Sequence, residues 1–479
     1  MQRIATVLGM GEKKQILDEK IARLRATVSL ESHDRVPVVG QADFWPVRYA
    51  QRCTMQEAFY SVDALAACYK DAFSEFSDWD AFDTMMYSLG PMLDATGSKR
   101  LKIPGRDISP HAEFQHPDLT LMDAKEYTQL IKDPVKFQIE EILPRLCKRL
   151  GSDDPSVRLK ALAKAALFLG QWIGKARYYG MIWSNEYGIP PMLKGTAIYT
   201  PMDYIADKLR GFYQGLIDIK ERAEIVQEAC VALFPFLMSV GLPSGSGEGD
   251  YPLLFNPQHV SPFISPRDYE RVYWPTFKKM IDQFVAHGHR VWVFFEHNQE
   301  QHLERLQELP KGKIVAHMES TDLAKAKKTL GGKICIAGGM SSVLLARGTP
   351  DEVKKRTLSV LKLFEDEPGF IMTCDKTIPV NARPENIRAW LNTMKEYGKI
   401  EGGLRIPEKD LDTSKGRWRS DQVVSIAGST EVDHSRIPFT RWETVKAEFG
   451  KIEGDERIIQ ENWEELEKFF LPLIYWLIK

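Results

Sequence analysis

Several short apolar runs in the C-terminal half of the chain end in side chains that can do chemistry. The run VWVFF ends directly at Glu296 and His297, and GFIMTC ends at Cys374. Carboxylate, imidazole and thiolate groups bind Zn²⁺, and a catalytic zinc takes three protein ligands and leaves one position open. Glu296, His297 and Cys374 are therefore candidate metal ligands. A third run, KIVAHM, contains His317, which can supply a proton or a substrate contact.

Each of these residues also has a plainer interpretation. A single cysteine at the end of an apolar strand is commonly an inert buried thiol. Adjacent residues of a strand point to opposite faces, so Glu296 and His297 can bind one ion only if the backbone turns at this point. Otherwise one of the two orients the other from outside the metal's coordination sphere.

The elements that must position these residues follow an alternating pattern. Apolar runs of strand length lie at 195–199, 291–295, 313–318, 333–339 and 369–374. Amphipathic segments of helix length separate them, at 202–240, 266–288, 300–309, 322–330, 349–364 and 384–397. This alternation predicts an α/β fold with a parallel sheet, either a (β/α) barrel or a doubly wound sheet. In both, catalytic groups lie at the carboxyl ends of the strands.

The composition limits the classes of partner and the compartment. The chain has 479 residues and a net charge of −2, without the basic excess that binding to nucleic acid usually requires. Its six cysteines contain no CxxC pair, which favours a reducing cytoplasm over a disulfide framework or a zinc ribbon. The N-terminus lacks the pattern of a secretory signal, and the apolar C-terminal stretch FFLPLIYWLIK is too short to cross a bilayer. We therefore expect a cytoplasmic protein that binds neither nucleic acid nor membrane.

The pattern divides the chain into three parts. Residues 1–34 form an N-terminal helical extension, and residues 35–400 form the α/β body with an insertion around 95–175. Residues 401–479 form a C-terminal extension that we expect to pack on the body or on a partner subunit, which allows for a homo-oligomer.

The order of motifs between Lys313 and Tyr397 resembles the C-terminal half of the uroporphyrinogen decarboxylase superfamily. The segments that carry the likeness are TDLAKAKKTLGGKICIAGGMSS, LLARGTPDEVKKRT and GFIMTCDKTIPVNARPENIRAW. Fainter likeness in RVPVVGQADFWPVRYA and GTAIYTPMDYIADKLRG extends it in outline over residues 35–400. The resemblance implies a (β/α)8 TIM-like barrel with helical insertions at the N-terminus and in mid-chain.

The closest branch of the superfamily is its zinc- and corrinoid-dependent methyltransferases. These carry a His-x-Cys motif on the strand that corresponds to VWVFFEHN and another Cys on the strand that corresponds to GFIMTC. This sequence keeps Cys374 but has Phe294 and Glu296 at the first two positions, and His297, one residue after Glu296, can take over as a ligand. A Glu/His/Cys set is harder than two thiolates and a better Lewis acid toward oxygen.

The resemblance therefore implies a methyltransferase or demethylase. It would move a methyl group from a small methoxy or methylamine-type donor, with the help of Zn²⁺, to a corrinoid (cobalamin) that is bound to a partner protein or free. The departure from the two thiolates favours an ether or amine donor over a thiol.

Candidate pocket residues lie where the resemblance places the mouth of the barrel. The candidates for substrate binding are Trp45, Arg48, Tyr199, Glu248, Asp250 and Tyr251, and the candidates for catalysis are His317 and Asp78. Trp45 and Tyr199 can equally be core aromatics, and the glycine-rich loop at 245–250 can be a solvated surface loop.

Two other functions remain open. A metal-free decarboxylase of a small or aromatic acid would rely on Asp78 and a cation such as Arg48. A non-catalytic barrel subunit would explain the altered metal motif and the apolar C-terminal tail.

Overall fold

Parallel strands form the centre of the computed structural model, which describes residues 2–83, 87–242, 250–400, 441–450 and 455–479. Within these ranges the strands are β1 (Val39–Gly40), β2 (Ala81–Phe82), β3 (Leu193–Ala197), β4 (Leu253–Gln258), β5 (Val291–Phe295), β6 (Ile314–Met318), β7 (Cys335–Met340) and β8 (Phe370–Cys374). Helices separate most of them, as a parallel sheet requires. The α/β class predicted from the sequence is confirmed.

The strands form two parallel sheets whose order follows the chain. Strands β3 to β8 make a six-stranded curled sheet, and β1 pairs with β2 in a second sheet. Isolated parallel bridges join the two sheets at both sides, between Val38 and Met372 and between Phe82 and Pro191. Every strand thus has its carboxyl end at the same edge of the fold.

The helices surround the sheets and extend both ends of the chain. The α-helices α1 to α21 are Gln2–Val28, Trp45–Ala50, Met55–Tyr60, Val62–Glu75, Gly90–Thr96, Tyr127–Lys132, Pro134–Phe137, Leu143–Leu146, Pro155–Tyr187, Pro201–Tyr204, Phe212–Glu221, Ala223–Gly241, Pro266–Asp268, Trp274–Ala286, Leu303–Leu306, Leu323–Leu330, Ser342–Arg347, Pro350–Leu363, Pro384–Tyr397, Trp442–Phe449 and Glu456–Ile478. Short 3₁₀ segments are Ala124–Glu126, Ser261–Phe263 and Glu300–His302, and π-helical segments are Gln138–Ile142, Ile205–Arg210 and Tyr269–Tyr273.

Local sequence signals account for the regular part of this pattern. Asp322 caps α16 by accepting the backbone N–H of Lys325, and Ser341 caps α17 in the same way. Thr349 and Glu352 form a capping box at the start of α18. These caps fix where each helix begins after its strand, and they explain why the sequence predicted this half of the fold closely.

The sequence prediction was wrong in two places. It missed β2 and β4, and it joined residues 202–240 into one helix. The structure divides this stretch at Gly211, which has a φ of 80° that a residue with a side chain rarely adopts, and again at Arg222.

Helix α12 is the one described helix that is long and apolar enough, on length and composition, to span a membrane. In the most apolar window of this helix, 56% of the residues are buried inside the protein. It packs against α6, α10, α14 and α21, which is the environment of a core helix.

The last turns of α21 are buried against the body of the protein. Leu471 and the residues from Leu473 to Lys479 are all buried, and they pack beside α8 and α12. The boundaries at residues 34 and 400 stay predictions, because residues 401–440 lie outside the described ranges.

Candidate functional site

The residues that follow the strands meet at one edge of the fold, which we call the carboxyl rim. Because the strands are parallel, the first loop residues after each strand come together there. Polar residues of the carboxyl rim include Asp43 after β1, Asp83 after β2, Tyr199 after β3, His259 after β4, Glu296 and His297 after β5, Glu319 after β6, and Asp375 and Lys376 after β8.

Three of these side chains form a compact cluster, which we call the Glu-His-Glu cluster. The potential ligand atoms of Glu296, His297 and Glu319 all lie within 4.8 Å of one another. His297 has a φ of 53°, so the backbone turns between the two neighbouring residues and lets both side chains reach one point. Glu319 Oε2 accepts the backbone N–H of His297 at 2.7 Å and holds this turn.

The donor set of the cluster fits a divalent metal ion. Two carboxylates and one imidazole are ligands of Zn²⁺, and the exposed His297 leaves solvent access for a further ligand. Lys376 Nζ lies 2.6 Å from Glu319 Oε1. Burial raises the pKa of Glu319, but Lys376 and the His297 N–H outweigh it and lower the pKa overall, so Glu319 is ionised and able to bind a cation.

Cys374, the third ligand predicted from the sequence, is not a member of the Glu-His-Glu cluster. Its side chain is fully buried, with Sγ 3.6 Å from Asp375 Oδ1 and 3.8 Å from the Thr377 carbonyl. Burial raises the pKa of this thiol well above its usual range, with the Asp375 carboxylate adding to the effect. In this environment Cys374 is a protonated thiol.

His259, which was not among the residues predicted from the sequence, joins the cluster to the protein interior. Its Nε2 lies 3.0 Å from Glu296 Oε1, and its Nδ1 is hydrogen-bonded to the Asp207 carboxylate. Burial opposes protonation, but the two carboxylates raise the pKa of His259 well above its usual range. The ring is therefore an imidazolium that donates from both nitrogens and holds a proton beside Glu296.

Asp203 fixes the turn that carries His259. One carboxylate oxygen, Oδ1, accepts the backbone N–H groups of His259 at 2.9 Å and Val260 at 2.8 Å. The other accepts hydroxyl hydrogen bonds from Thr200 and Tyr273. Asp203 is fully buried, and burial raises its pKa to about 6. This carboxylate ties the loops after β3 and β4 into one rigid support.

His317 lies within β6 and has both ring nitrogens engaged. Nδ1 accepts a hydrogen bond from Trp292 Nε1 at 3.3 Å, and Nε2 lies 2.8 Å from the Cys374 carbonyl, to which it donates. The side chain is fully buried, and burial lowers its pKa to about 4. This arrangement makes His317 a neutral tie between β5, β6 and β8, and leaves it no proton to offer a substrate.

Asp43, at the carboxyl rim after β1, is a further carboxyl group with an altered pKa. Burial raises the pKa of Asp43 to about 7, and the nearby carboxylates of Asp83 and Glu113 act in the same direction. Asp43 therefore carries a proton near neutral pH and can act as an acid or a base. Its loop carries part of the family likeness, but Asp43 was not among the site residues predicted from the sequence.

Three of the predicted substrate-binding residues follow β1 or β3. Tyr199 lies at the carboxyl rim, whereas Trp45 and Arg48 lie on α2. The Tyr199 ring is 5.5 Å from the His259 ring, with Lys208 Nζ 4.9 Å above it. Trp45 is buried and donates from Nε1 to the Ala382 carbonyl at 3.0 Å, so it is a core residue. Arg48 is exposed on α2.

The structure does not bring Asp78, Asp250 and Tyr251 to the carboxyl rim. Asp78 precedes β2, and the other two precede β4, so all three lie at the amino ends of parallel strands. There Asp78 pairs with Lys395, Asp250 pairs with Arg25 and Arg290, and Tyr251 donates to the Pro191 carbonyl. Glu248 lies outside the described residues.

Comparison with known proteins finds a family similarity in the regular half of the chain. The family model for uroporphyrinogen decarboxylase (URO-D) matches residues 249–397. The uroporphyrinogen decarboxylase of Pseudoalteromonas translucida (strain TAC 125) is 26% identical over 138 residues, and that of Chlorobaculum tepidum is 32% identical over 78 residues. These matches cover 28% and 16% of this chain, and only 38% and 22% of the two relatives.

The fold is shared more widely than the sequence. A methyltransferase from Methanosarcina mazei superposes with a TM-score of 0.53 at 15% sequence identity. The superposition covers 78% of this chain and 98% of the methyltransferase. The family model and the curated relatives agree with the motifs between Lys313 and Tyr397, and they show that residues 249–397 are similar to the uroporphyrinogen decarboxylase family.

Proposed function

We propose that this protein is a methyltransferase that moves a methyl group from a small methoxy or methylamine-type donor to a corrinoid, assisted by Zn²⁺. The Glu-His-Glu cluster carries the proposal, since it offers a metal-type donor set at the carboxyl rim, where enzymes of this architecture have their active sites. The shared fold with a methyltransferase is consistent with it.

We also propose that the two sheets act as one eight-stranded (β/α)8 barrel. The bridges at Val38–Met372 and Phe82–Pro191 join β8 to β1 and β2 to β3, so the strands follow one another around the fold in chain order. A closed barrel gives the carboxyl rim a single mouth over which a corrinoid protein can dock.

The cluster and its neighbours would have separate roles in metal binding, proton transfer and substrate contact. Glu296, His297 and Glu319 would hold the metal, which when bound supplies Lewis acidity toward the oxygen or nitrogen that loses the methyl group. His259 holds a proton at Nε2 beside Glu296, where it can neutralise the charge that develops on the leaving atom. Tyr199 offers a flat wall next to His259.

The ligand types favour an ether or amine as the methyl donor. Oxygen and nitrogen ligands make a harder metal centre than thiolates do, and a hard centre polarises oxygen better than it holds a soft thiol. The replacement of thiolate by carboxylate in the cluster, with Cys374 buried as a thiol, strengthens this preference.

A methyl-transfer assay tests the proposal. Purified protein is mixed with a reduced free corrinoid and single methoxyaromatic, methylamine or methylthiol donors, and the conversion of Co(I) to methyl-Co(III) is followed by absorbance. We expect turnover with a methoxy or methylamine donor, and a loss of at least a hundredfold in Glu319→Gln because one ligand is neutralised. The matched control is Glu304→Gln, an exposed acid on α15, which should keep the wild-type rate.

Decarboxylation is the second candidate function. The curated relatives are decarboxylases, and the imidazolium of His259 could protonate a carbanion. The form that relies on Asp78 and Arg48 has no support from the geometry, because Asp78 is paired with Lys395 at the opposite edge. Release of CO₂ from an aromatic acid by metal-free protein, without methylation of the corrinoid, would favour the decarboxylase. Inactivity in both assays would favour a non-catalytic subunit.

The compartment and partners stay part of the proposal. All six cysteines are free thiols, including Cys53 and Cys68, whose sulfur atoms are 3.6 Å apart. Such a pair is stable as thiols in a reducing cytoplasm, in line with the compartment expected from the sequence.

A further inference from the structure

Helix α9 presents apolar side chains to solvent along the face that points away from the body. Its buried residues, such as Trp183, lie on the other face and pack on the protein. Four large apolar side chains on the outer face are more than half exposed: Leu159 at 70%, Leu167 at 58%, Met181 at 55% and Tyr178 at 54%. A single exposed apolar residue needs no explanation, but a row of them along one helix is typical of an interaction surface.

Two glycines lie in the middle of the same outer face. Gly170 and Gly174 are one turn apart, and an added methyl group at either position would have no neighbour within 4 Å among the described residues outside the helix. Glycine weakens an exposed helix, because it loses more conformational freedom on folding than any other residue. Packing inside the protein does not require either glycine. Together they leave a shallow trough on α9 that has room for large side chains of a second molecule.

The first half of α21 has another exposed apolar face. Leu466 is 56% exposed, Ile458 is 50% exposed and Phe469 is 43% exposed. Burial of this helix begins at Leu471, so residues 456–469 are mostly open to solvent. The helix is therefore attached to the body by its last turns and offers its first turns to a partner.

The two helices are neighbours in the fold. The rings of Trp172 on α9 and Trp476 on α21 are in edge-to-face contact, with their centroids 4.8 Å apart. The outer face of α9 and the exposed residues 456–469 of α21 thus belong to adjoining helices. We call them together the α9–α21 surface.

The two parts of the α9–α21 surface carry opposite charges. Helix α9 contains five basic residues and a single acidic one, Glu186. Helix α21 contains five acidic and two basic residues, all in its exposed half. Within the chain, Lys175 of α9 pairs with Asp63, and Glu456 of α21 pairs with Lys446. The remaining charges leave the α9 part basic and the α21 part acidic.

A surface of this kind fits a second copy of the same chain. In a dimer with a two-fold axis both copies contribute the same patch, so a basic part of one copy can meet the acidic part of the other. An anionic lipid surface would attract α9 but repel α21. A partner protein of one charge would suit only one of the two helices. A second copy is complementary to both.

We infer that two copies of this chain associate through the α9–α21 surface, with α9 of each copy packed against α21 of the other. Large side chains of α21, such as Leu466 and Phe469, then lie against the glycine trough of α9, and the opposite charges of the two helices face each other. Both helices lie outside the family-like residues 249–397. The inference does not depend on the chemistry proposed for the carboxyl rim.

Charge reversal tests the pairing of the two helices. Sedimentation velocity of the full chain over a range of concentrations gives the dissociation constant of the dimer. Lys160→Glu/Lys164→Glu makes the exposed face of α9 more acidic, and Glu461→Lys/Glu464→Lys makes that of α21 more basic. We expect each pair of substitutions to raise the dissociation constant roughly thirtyfold or more, because like charges then face each other. The variant with all four substitutions should return to within about threefold of wild type, since the attraction is restored with the signs exchanged.

Two further variants separate the interface from folding. Gly170→Gln favours the helix but fills the trough, so it should weaken the dimer roughly tenfold or more without lowering the melting temperature. Lys328→Glu/Lys355→Glu reverses two exposed charges on α16 and α18 and should leave the dissociation constant unchanged.

Three results would overturn the inference. The first is a wild-type protein that stays monomeric at every concentration. The second is a dimer whose dissociation constant is the same in both charge-reversed variants as in wild type. The third is a fourfold variant that dimerises as weakly as the two variants from which it is built.

Discussion

At the scale of single residues, the backbone turn at His297 decides what the site can do. In an extended strand Glu296 and His297 would point to opposite faces, and only one of them could contact a given ion. The positive φ of His297 removes this conflict, and the Glu319 carboxylate stabilises the turn. The sequence predicted the pair from its position after an apolar run, but a single φ angle cannot be read from that pattern.

Other site residues were missed for reasons that are also local. Glu319 is the first residue after β6. The prediction selected His317 within that strand and not Glu319. His317 was predicted to supply a proton or a substrate contact, whereas its two ring nitrogens are hydrogen-bonded to the Trp292 N–H and the Cys374 carbonyl. Which nitrogen of a buried histidine is free depends on neighbours that come from distant strands.

Replacement of His317 tests its structural role. His317→Leu leaves the Trp292 N–H and the Cys374 carbonyl without partners, so we expect the free energy of unfolding to fall by about 3 kcal/mol in urea denaturation. Exposed His111→Leu serves as the control. Unchanged stability together with lost turnover in His317→Leu would instead indicate a proton donor.

The same residue predicts a pH dependence of stability. The folded-state pKa of His317 is about 4, below the ordinary value of 6.5. Between these values the unfolded chain binds a proton that the folded protein does not, so this contribution to stability is lost as pH falls from 6.5 toward 4. Urea denaturation across this range should show a smaller loss in His317→Leu than in wild type.

At the scale of elements, β4 shows why the prediction lost part of the site. Its sequence LLFNPQ contains Asn256, Pro257 and Gln258, which are typical of loops. In the structure Asn256 donates to the Ile198 carbonyl at 2.6 Å, and Gln258 donates to Asn256 Oδ1 at 2.7 Å. These buried hydrogen bonds make the polar strand stable, and they depend on β3. Because β4 was not predicted, His259 was not recognised as a residue at the carboxyl end of a strand.

Helix α1 is attached to the body at the edge opposite to the carboxyl rim. Arg23 on α1 and Arg35 both bind Asp80, which is fully buried and also accepts the Val38 N–H at 2.8 Å. Arg23 binds Asp34 as well. This network fixes α1 beside the start of β1 and β2.

Removal of the Asp80 charge tests the attachment. Asp80→Asn leaves two arginines near a neutral amide, and the free energy of unfolding should fall by about 3–5 kcal/mol. Asp153→Asn, an exposed acid before α9, should change stability by less than about 0.5 kcal/mol. A small effect at Asp80 would show that apolar packing alone holds α1.

At the scale of the whole molecule, the two edges of the parallel fold have different tasks. The edge at the amino ends of the strands carries ion pairs that stabilise the fold, including those of Asp78, Asp80 and Asp250. The carboxyl rim carries the groups with altered pKa values and the Glu-His-Glu cluster. The sequence predicted the α/β fold class and the location of the functional groups at the carboxyl ends of the strands. It could not assign residues of β2 and β4 to an edge, because those strands were not recognised.

The central claim is that the Glu-His-Glu cluster is the metal centre, and metal content tests it most directly. Wild type, Glu319→Gln and Cys374→Ser are purified, loaded with Zn²⁺, dialysed and analysed by plasma mass spectrometry. The account predicts about one zinc per chain in wild type and in Cys374→Ser, and a marked loss in Glu319→Gln, because carboxylate and imidazole groups supply the ligands. Full zinc retention in Glu319→Gln together with its loss in Cys374→Ser would contradict the account and return the site to the ligand set expected from the sequence.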